Sequence, residues 1–155
     1  MKRSILVAAI VLGALVVGCL IYRSLPPTPA GRQAVEQLVS ADTFSLGPVG
    51  AGGVIPERED LFFTILSSRH SSDLFRDLFD RGTPEAQLYA LCGLRLTHRA
   101  SFDAYSSRFL AETSTVATMG GCICRDSMRT EAVTALRSGV VEGYLKIRKE
   151  FIHRP

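Results

Sequence analysis

The sequence lacks tryptophan altogether and has little lysine: among its 18 basic residues only Lys2, Lys146 and Lys149 are lysine. From residue 23 onward, 16 basic residues stand against 15 acidic ones, which leaves a net charge of only +1. Nucleic-acid binding depends on neutralising many phosphates, so a nearly neutral domain has no field with which to hold DNA or RNA. We therefore expect no nucleic-acid partner.

Motifs that mark common enzyme classes are missing as well. The segment 45–56 is rich in glycine, as phosphate-binding loops are. However, its glycines are followed by Pro56 and by no Gly-Lys-Ser/Thr, so the segment lacks the motif of such a loop. No Gly-x-Ser-x-Gly element supports a catalytic serine. His70, His98 and His153 each lie beside an arginine in a polar stretch, which is typical of surface residues. The sequence thus predicts a protein without catalytic activity.

Three acids cluster at Glu57, Glu59 and Asp60. A pair of carboxylates can carry glycoside hydrolysis. Acids are also favoured in the first turn of a helix, where they face the positive end of the macrodipole. Because a helix is predicted to begin here, we interpret these acids as helix-start residues.

An apolar segment opens the chain. Lys2 and Arg3 precede 18 uncharged residues, Ile5 to Tyr22. As a helix this stretch would be about 27 Å long, close to a hydrocarbon core of about 30 Å. The preceding positive charge predicts a cytoplasmic N-terminus and a translocated remainder. Residues 1–22 are therefore predicted to be a membrane leader or anchor, with the rest of the chain extracytoplasmic in the cell envelope, in a periplasm or at the cell surface.

The end of this segment, Val16-Val17-Gly18-Cys19, resembles the lipobox of bacterial lipoproteins. The resemblance implies cleavage before Cys19 and acylation of that residue, which would anchor the chain in membrane lipid. However, Leu20-Ile21-Tyr22 continues the apolar run past the cysteine, which is typical of an uncleaved transmembrane helix. Both forms of anchor remain open.

A proline-rich stretch follows the leader. The prolines between Ser24 and Gly31 predict an extended tether over 23–31, because proline favours polyproline II and interrupts helices. Residues 32–155 form the predicted domain, which is long enough to bury a core without disulfides or metals. A short helix is expected over 32–40. The segment 45–56, with four glycines and two prolines, is expected to be a loop.

Four helices are predicted between residues 57 and 111. The first begins at Glu57, the second is capped by Ser71 or Ser72 and ends at Gly82, the third is capped by Thr83, and the fourth by Ser101. The short breaks predict antiparallel neighbours. The fold class is therefore mainly α, a compact bundle of short antiparallel helices with one or two short extended segments. The predicted inward residues are Leu61, Phe62, Ile65, Leu66, Leu74, Phe75, Leu78, Phe79, Leu88, Leu91, Cys92, Leu96, Phe102, Tyr105 and Phe109.

Part of this region carries a second resemblance. The capped amphipathic pattern of Thr83–Arg95 (TPEAQLYALCGLR), within the stretch 83–111, resembles a helix of a HEAT-like repeat. The resemblance implies a surface of stacked helices that binds another protein.

After residue 112 the helical pattern of apolar residues stops. The Thr, Val and Ile content of 113–124 predicts a short strand, placed beside 45–56. Asp126 or Ser127 is expected to cap a helix that runs to Leu136, and Gly139 to break the chain. A last helix then carries an apolar stripe of Val140, Tyr144, Ile147 and Phe151.

Cys92, Cys122 and Cys124 are the residues with the most chemical potential. In an extended segment, the side chains of residues i and i+2 point the same way, so the sulfurs of Cys122 and Cys124 would lie on the same face. They could form a structural disulfide with Cys92, remain free and buried, or act as a redox or metal-binding pair. A zinc site could combine all three with His98, but the spacing matches no paired Cys-x-x-Cys pattern, so no cofactor is predicted.

These observations predict a membrane-anchored, extracytoplasmic helical domain that is not an enzyme and acts through a protein partner. The alternative is a thiol-redox or metal-binding module that uses Cys122 and Cys124. A binder of small ligands is a third hypothesis, since pockets leave no local mark in a sequence.

Overall fold

The computed structural model describes residues 26–152, apart from the side chains of residues 147 and 149–152. The predicted leader, including Cys19, and His153 lie outside this range. Within it, no helix combines the length and apolar character needed to cross a bilayer. As predicted, the fold is mainly helical, and it also contains a short two-stranded sheet. The elements are α1 (Pro29–Leu38), α2 (Glu57–Ser67), α3 (Ser71–Arg81), α4 (Pro84–Thr97), α5 (Arg99–Leu110), β1 (Val116–Gly120), β2 (Ile123–Ser127), α6 (Arg129–Arg137) and α7 (Val140–Ile152).

Helix α1 begins earlier than the sequence indicated. The Thr28 hydroxyl accepts a hydrogen bond from the Gly31 amide at 3.2 Å, and Pro29 occupies the first helical position. Proline fits there because its missing N–H would have no partner in the first turn. The last three residues of the predicted tether therefore belong to α1 instead.

Helix α4 is the centre of the fold and packs against α2, α3, α5, α6 and β1. Its predicted cap is confirmed, since the Thr83 hydroxyl accepts from the Ala86 amide at 3.2 Å. Every residue from 88 to 94 is buried, so α4 is enclosed on all sides rather than along one stripe. Gly93 lies directly against the Phe75 ring of α3, and a Cβ at that position would overlap the ring.

Two predicted caps were wrong. Helix α3 is preceded by His70 in the left-handed conformation (φ 57°), without a side-chain cap, so Ser71 is already helical. Helix α5 is capped by His98, whose Nδ1 accepts from the Ser101 amide at 3.2 Å. In both cases the predicted serine lies inside the helix, because the residue that precedes the first turn is a histidine earlier in the chain. The end of α3 at Gly82 is confirmed.

Strands β1 and β2 form an antiparallel hairpin. Its two-residue connection starts at Gly121, whose φ of +56° favours glycine. The predicted strand is thus confirmed, but the chain stays extended through Ser127. Asp126 and Ser127 pair with Ala117 and Val116 in the ladder, and neither caps α6.

The glycine-rich segment 45–56 lies beside the end of the predicted strand 113–124, as predicted, and Phe44 just before it pairs with β1. The Phe44 amide donates to the Ala117 carbonyl, and the Met119 amide donates to the Phe44 carbonyl, both at 2.8 Å. Farther along, the Gly50 amide donates to the Gly121 carbonyl at 2.8 Å. These bonds place residues 44–50 along the hairpin.

The last two helices meet at Gly139, whose φ of +89° confirms the predicted break. The apolar stripe of α7 is shifted by one position at its start. Val141 is buried, whereas Val140 is 60% exposed. This shift leaves an apolar side chain on the surface near the hairpin.

Candidate functional site

An open cavity of about 510 Å³ lies between the hairpin, the segment 44–46 and helices α6 and α7. We call this cavity the groove. Its volume is within the range of roughly 300–1,000 Å³ found for ligand pockets. Most of its lining is apolar and includes Phe44, Leu46, Leu88, Leu136 and Val141.

Two exposed apolar side chains also line the groove. Ile123 of β2 is 67% exposed, and Val140 of α7 is 60% exposed. A single exposed apolar residue is ordinary in a folded protein. Two of them at one apolar cavity make a continuous apolar surface of the kind that marks interaction sites.

The groove also has charged and polar lining. Arg125 of β2 and Glu131 of α6 line it, and the hydroxyls of Thr118 and Ser127 are hydrogen-bonded to each other at 2.8 Å. In the part of the chain that the structure describes, Arg125 forms no ion pair. Its positive charge is therefore available to a bound molecule.

Side-chain alternation along β2 separates the groove from the thiols. Ile123, Arg125 and Ser127 all line the groove. Since successive side chains of a strand point to opposite faces, Cys124 and Asp126 lie on the other face of the hairpin. The predicted thiol pair is thus brought to the hairpin surface, but it is not part of the groove.

The three cysteines within residues 26–152 are all free thiols. Cys92 is fully buried in α4, whereas Cys122 and Cys124 are exposed. The sulfur of Cys92 is enclosed in the core and those of Cys122 and Cys124 lie outside it, so this structure does not pair Cys92 with either of them. Burial raises the pKa of the Cys92 thiol well above its ordinary value, which keeps the thiol protonated and unreactive. Among the described residues, no group of three or more His, Cys, Asp or Glu side chains could hold a metal, and the set with His98 is not assembled.

Glu59 is the residue of this site that the sequence interpretation missed. It is fully buried rather than simply a helix-start acid. One carboxylate oxygen accepts from the Gly47 amide at 2.6 Å, and the other accepts from the Tyr144 hydroxyl at 2.7 Å. Arg148 Nη1 lies 3.0 Å from that second oxygen, an ion pair without the alignment of a hydrogen bond. Because Tyr144 also lines the groove, Glu59 fixes one of its walls.

This arrangement changes the chemistry of Tyr144. Burial raises the pKa of its hydroxyl, and the hydrogen bond to Glu59 acts in the same direction. Tyr144 is therefore a neutral donor that positions α7 rather than an acid. One signal for Glu59 was present in the sequence: it lies three residues before Phe62 and six before Ile65, on the buried face of α2.

Arg129 is the second buried charged residue near the groove. Its guanidinium donates to a Glu112 carboxylate oxygen at 2.6 Å and to the Phe109 carbonyl at 3.1 Å. It also lies over the Phe109 ring, 4.3 Å from the centroid. Since Arg129 is the first residue of α6, these contacts hold the α6 wall of the groove against the end of α5.

The groove is therefore a built feature, with walls fixed by Glu59 on one side and Arg129 on the other. Comparisons of the chain with protein-family models, with curated proteins and with solved structures found no match.

Proposed function

We propose that the protein is a non-catalytic binding domain, held at a membrane by its N-terminus, and that a protein partner inserts apolar side chains into the groove. The observation that carries this proposal is the pair of exposed apolar residues, Ile123 and Val140, at an open apolar cavity. Protein interfaces are centred on buried apolar side chains that fill such pockets, surrounded by a polar rim. Arg125 and Glu131 supply charged groups of that kind.

The membrane attachment is supported by the sequence of residues 1–22, through either an acylated Cys19 or an uncleaved apolar helix. Residues 23–28 separate an uncleaved apolar helix from α1, and residues 20–28 separate an acylated Cys19 from it. Six extended residues span at most about 20 Å and nine at most about 30 Å, so the domain would stay close to the membrane surface. We therefore expect the partner to be a protein of the same cell envelope, in the periplasm or at the cell surface.

The test is photo-crosslinking in the native membrane. Benzoylphenylalanine replaces Ile123 in the groove or, as a control, Asp103, which is exposed on α5. We expect a protein adduct from position 123 and none from position 103. Adducts with lipid alone, or equal adducts from both positions, would contradict a protein partner in the groove.

The exposure of Cys122 and Cys124 favours a second candidate function, a redox or metal-binding thiol pair. The two candidates differ in the Cys122→Ser, Cys124→Ser double variant. A groove-binding domain retains its crosslinked partner in this variant, because neither Cys122 nor Cys124 lines the groove. A thiol module loses its function while it remains folded.

A further inference from the structure

In the part of the chain that the structure describes, one edge of the hairpin has backbone groups without hydrogen-bond partners. Phe44 forms hydrogen bonds with the Ala117 carbonyl and the Met119 amide, so these groups point away from β2. In the antiparallel register, Ala117 is opposite Asp126 and Met119 is opposite Cys124. Because the backbone groups of Ala117 and Met119 point away from β2, these two pairs are of the non-hydrogen-bonded type. The amides and carbonyls of Cys124 and Asp126 therefore point away from β1. Within residues 26–152, no backbone group bonds to them.

We propose that the partner binds as an extended segment that adds a third strand to this free edge of β2. The proposal rests on the proposed function and names the form that the partner takes. An unpaired row of amides and carbonyls is a template for another strand, and β-strand addition uses it for affinity.

The side chains of β2 define what this segment carries. Neighbouring residues of adjacent strands have Cβ atoms about 5 Å apart on the same face. Ile123 and Arg125 both face the groove and are two residues apart. The added strand therefore places an apolar side chain beside Ile123, where it enters the groove, and an acidic side chain beside Arg125. Glu131, the other charged residue of the groove, lies on the α6 wall and not on the strand.

A second copy of this chain fits the edge less well. A symmetric antiparallel pairing of two β2 strands centred on Arg125, their middle residue, would set two arginines opposite each other. Like charges directly opposite each other destabilise a pair of strands. Charge complementarity therefore favours a different protein with an acidic residue at this position.

The test uses synthetic peptides and the full-length protein in detergent solution. The probes are octapeptides that alternate valine and threonine, with aspartate, serine or lysine replacing one central valine. Fluorescence anisotropy measures their affinity. We expect the aspartate peptide to bind about three- to fivefold more tightly than the serine peptide, and the lysine peptide to bind most weakly, because of Arg125.

N-methylation of the peptides tests the backbone contact. An added strand offers every second amide to β2, so methylating one alternate set of amides should abolish binding, and methylating the other set should preserve it. Equal binding of the two methylated forms would overturn strand addition.

Variants of β2 provide the matched test on the protein. Cys124→Pro removes an amide that faces away from β1, so the hairpin ladder is kept and only the outer donor is lost. Cys124→Val keeps that amide and removes the thiol. We expect Cys124→Pro to weaken peptide binding at least about tenfold, because the peptide loses one backbone hydrogen bond and the adjacent bonds are weakened. Cys124→Val should leave binding unchanged.

Three further results would overturn the proposal: equal binding by the two variants, binding of no peptide, or a dimer of the full-length protein that Cys124→Pro dissociates. If no peptide binds but position 123 still captures a protein, strand addition fails and the proposed function stands. If neither occurs, both fail.

Discussion

The helices α1–α5 differ from the region formed by the hairpin, α6 and α7 in how completely their apolar side chains are buried. In the first region, the aromatic rings of Phe62, Phe75 and Tyr89 are fully enclosed around α4. In the second, Ile123 and Val140 remain exposed beside a cavity. Burial of apolar surface stabilises the fold in the first region, whereas the second retains apolar surface whose burial can stabilise a complex. Residues of the same types thus stabilise the fold where they are covered and, under the proposed function, would stabilise a complex where they are not.

Glu59 joins the two regions. Its carboxylate belongs to α2, but its partners are the Gly47 amide and, on α7, Tyr144 and Arg148. The stability of the groove region is thus coupled to the helical region through Glu59 as well as through Arg129 and the packing of α4. Four changes test the contrast and this connection.

Replacement of Glu59 by alanine should break the connection. We expect the free energy of unfolding, measured by urea denaturation, to fall by about 3–5 kcal/mol, because the buried donors and Arg148 lose their acceptor. Glu57→Ala is the control, since Glu57 is exposed in the same first turn, and it should cost at most about 1 kcal/mol. Equal losses in the two variants would show that Glu59 acts only as a helix-start acid.

A methyl group added to Gly93 should disturb the enclosed region. Gly93→Ala forces a Cβ into the Phe75 ring, and overpacking of this kind costs about 1–3 kcal/mol. The same substitution at Gly143, where a Cβ in α7 meets no atom within 4 Å, should instead raise stability by about 0.5–1 kcal/mol. Thermal unfolding of the two variants should therefore shift in opposite directions, and a shift in the same direction would contradict the difference in packing.

Filling the groove should affect binding and not stability. Ala135 lines the groove and is exposed, so Ala135→Leu should change the free energy of unfolding by less than about 0.5 kcal/mol. It should also reduce the fluorescence of Nile red, an uncharged apolar dye, bound to the protein. Thr134→Leu adds similar bulk at the neighbouring exposed position outside the groove and should leave dye binding intact. Equal dye binding by both variants would place the apolar site elsewhere.

Alkylation of the thiols should have the smallest effect, because it leaves the fold unchanged. Iodoacetamide at pH 8 should modify Cys122 and Cys124 in the native protein, since both are exposed. Cys92 should react only in urea, because burial raises the pKa of its thiol. Peptide mass spectrometry distinguishes the sites. Rapid modification of native Cys92 would show that α4 is less enclosed than the rest of the core.

The sequence was sufficient to predict those structural features that are determined by one or two neighbouring residues. Thr83 followed by Pro84 marks the start of α4, and Gly139 marks the break before α7, because each residue type has a backbone preference that acts at its own position. The caps at Ser71 and Ser101 failed for the converse reason. Several polar residues precede each helix, and the connection to the preceding helix determines which of them lies outside the first turn.

The groove could not be predicted in the same way, because its lining comes from five separate segments of the chain. Nothing near Ile123 in the sequence indicates that α6 and α7 leave a cavity beside it. Glu59 was misread because its partners Gly47 and Tyr144 are 12 and 85 residues away. Its spacing from Phe62 indicated a buried position, but a buried carboxylate is identified only when its donors are known.

The separation of 85 residues between Glu59 and Tyr144 also bears on the order of folding. The contacts of α3 with α4 and of α4 with α5 are between neighbours in the chain, and such contacts form early because they close short loops. The hydrogen bond between Glu59 and Tyr144 requires α7 to return to α2 after the intervening helices and hairpin are in place. We therefore expect the groove to be the last part of the molecule to assemble. By the same reasoning, amide hydrogens of α7 should exchange with solvent through local openings that leave α4 intact.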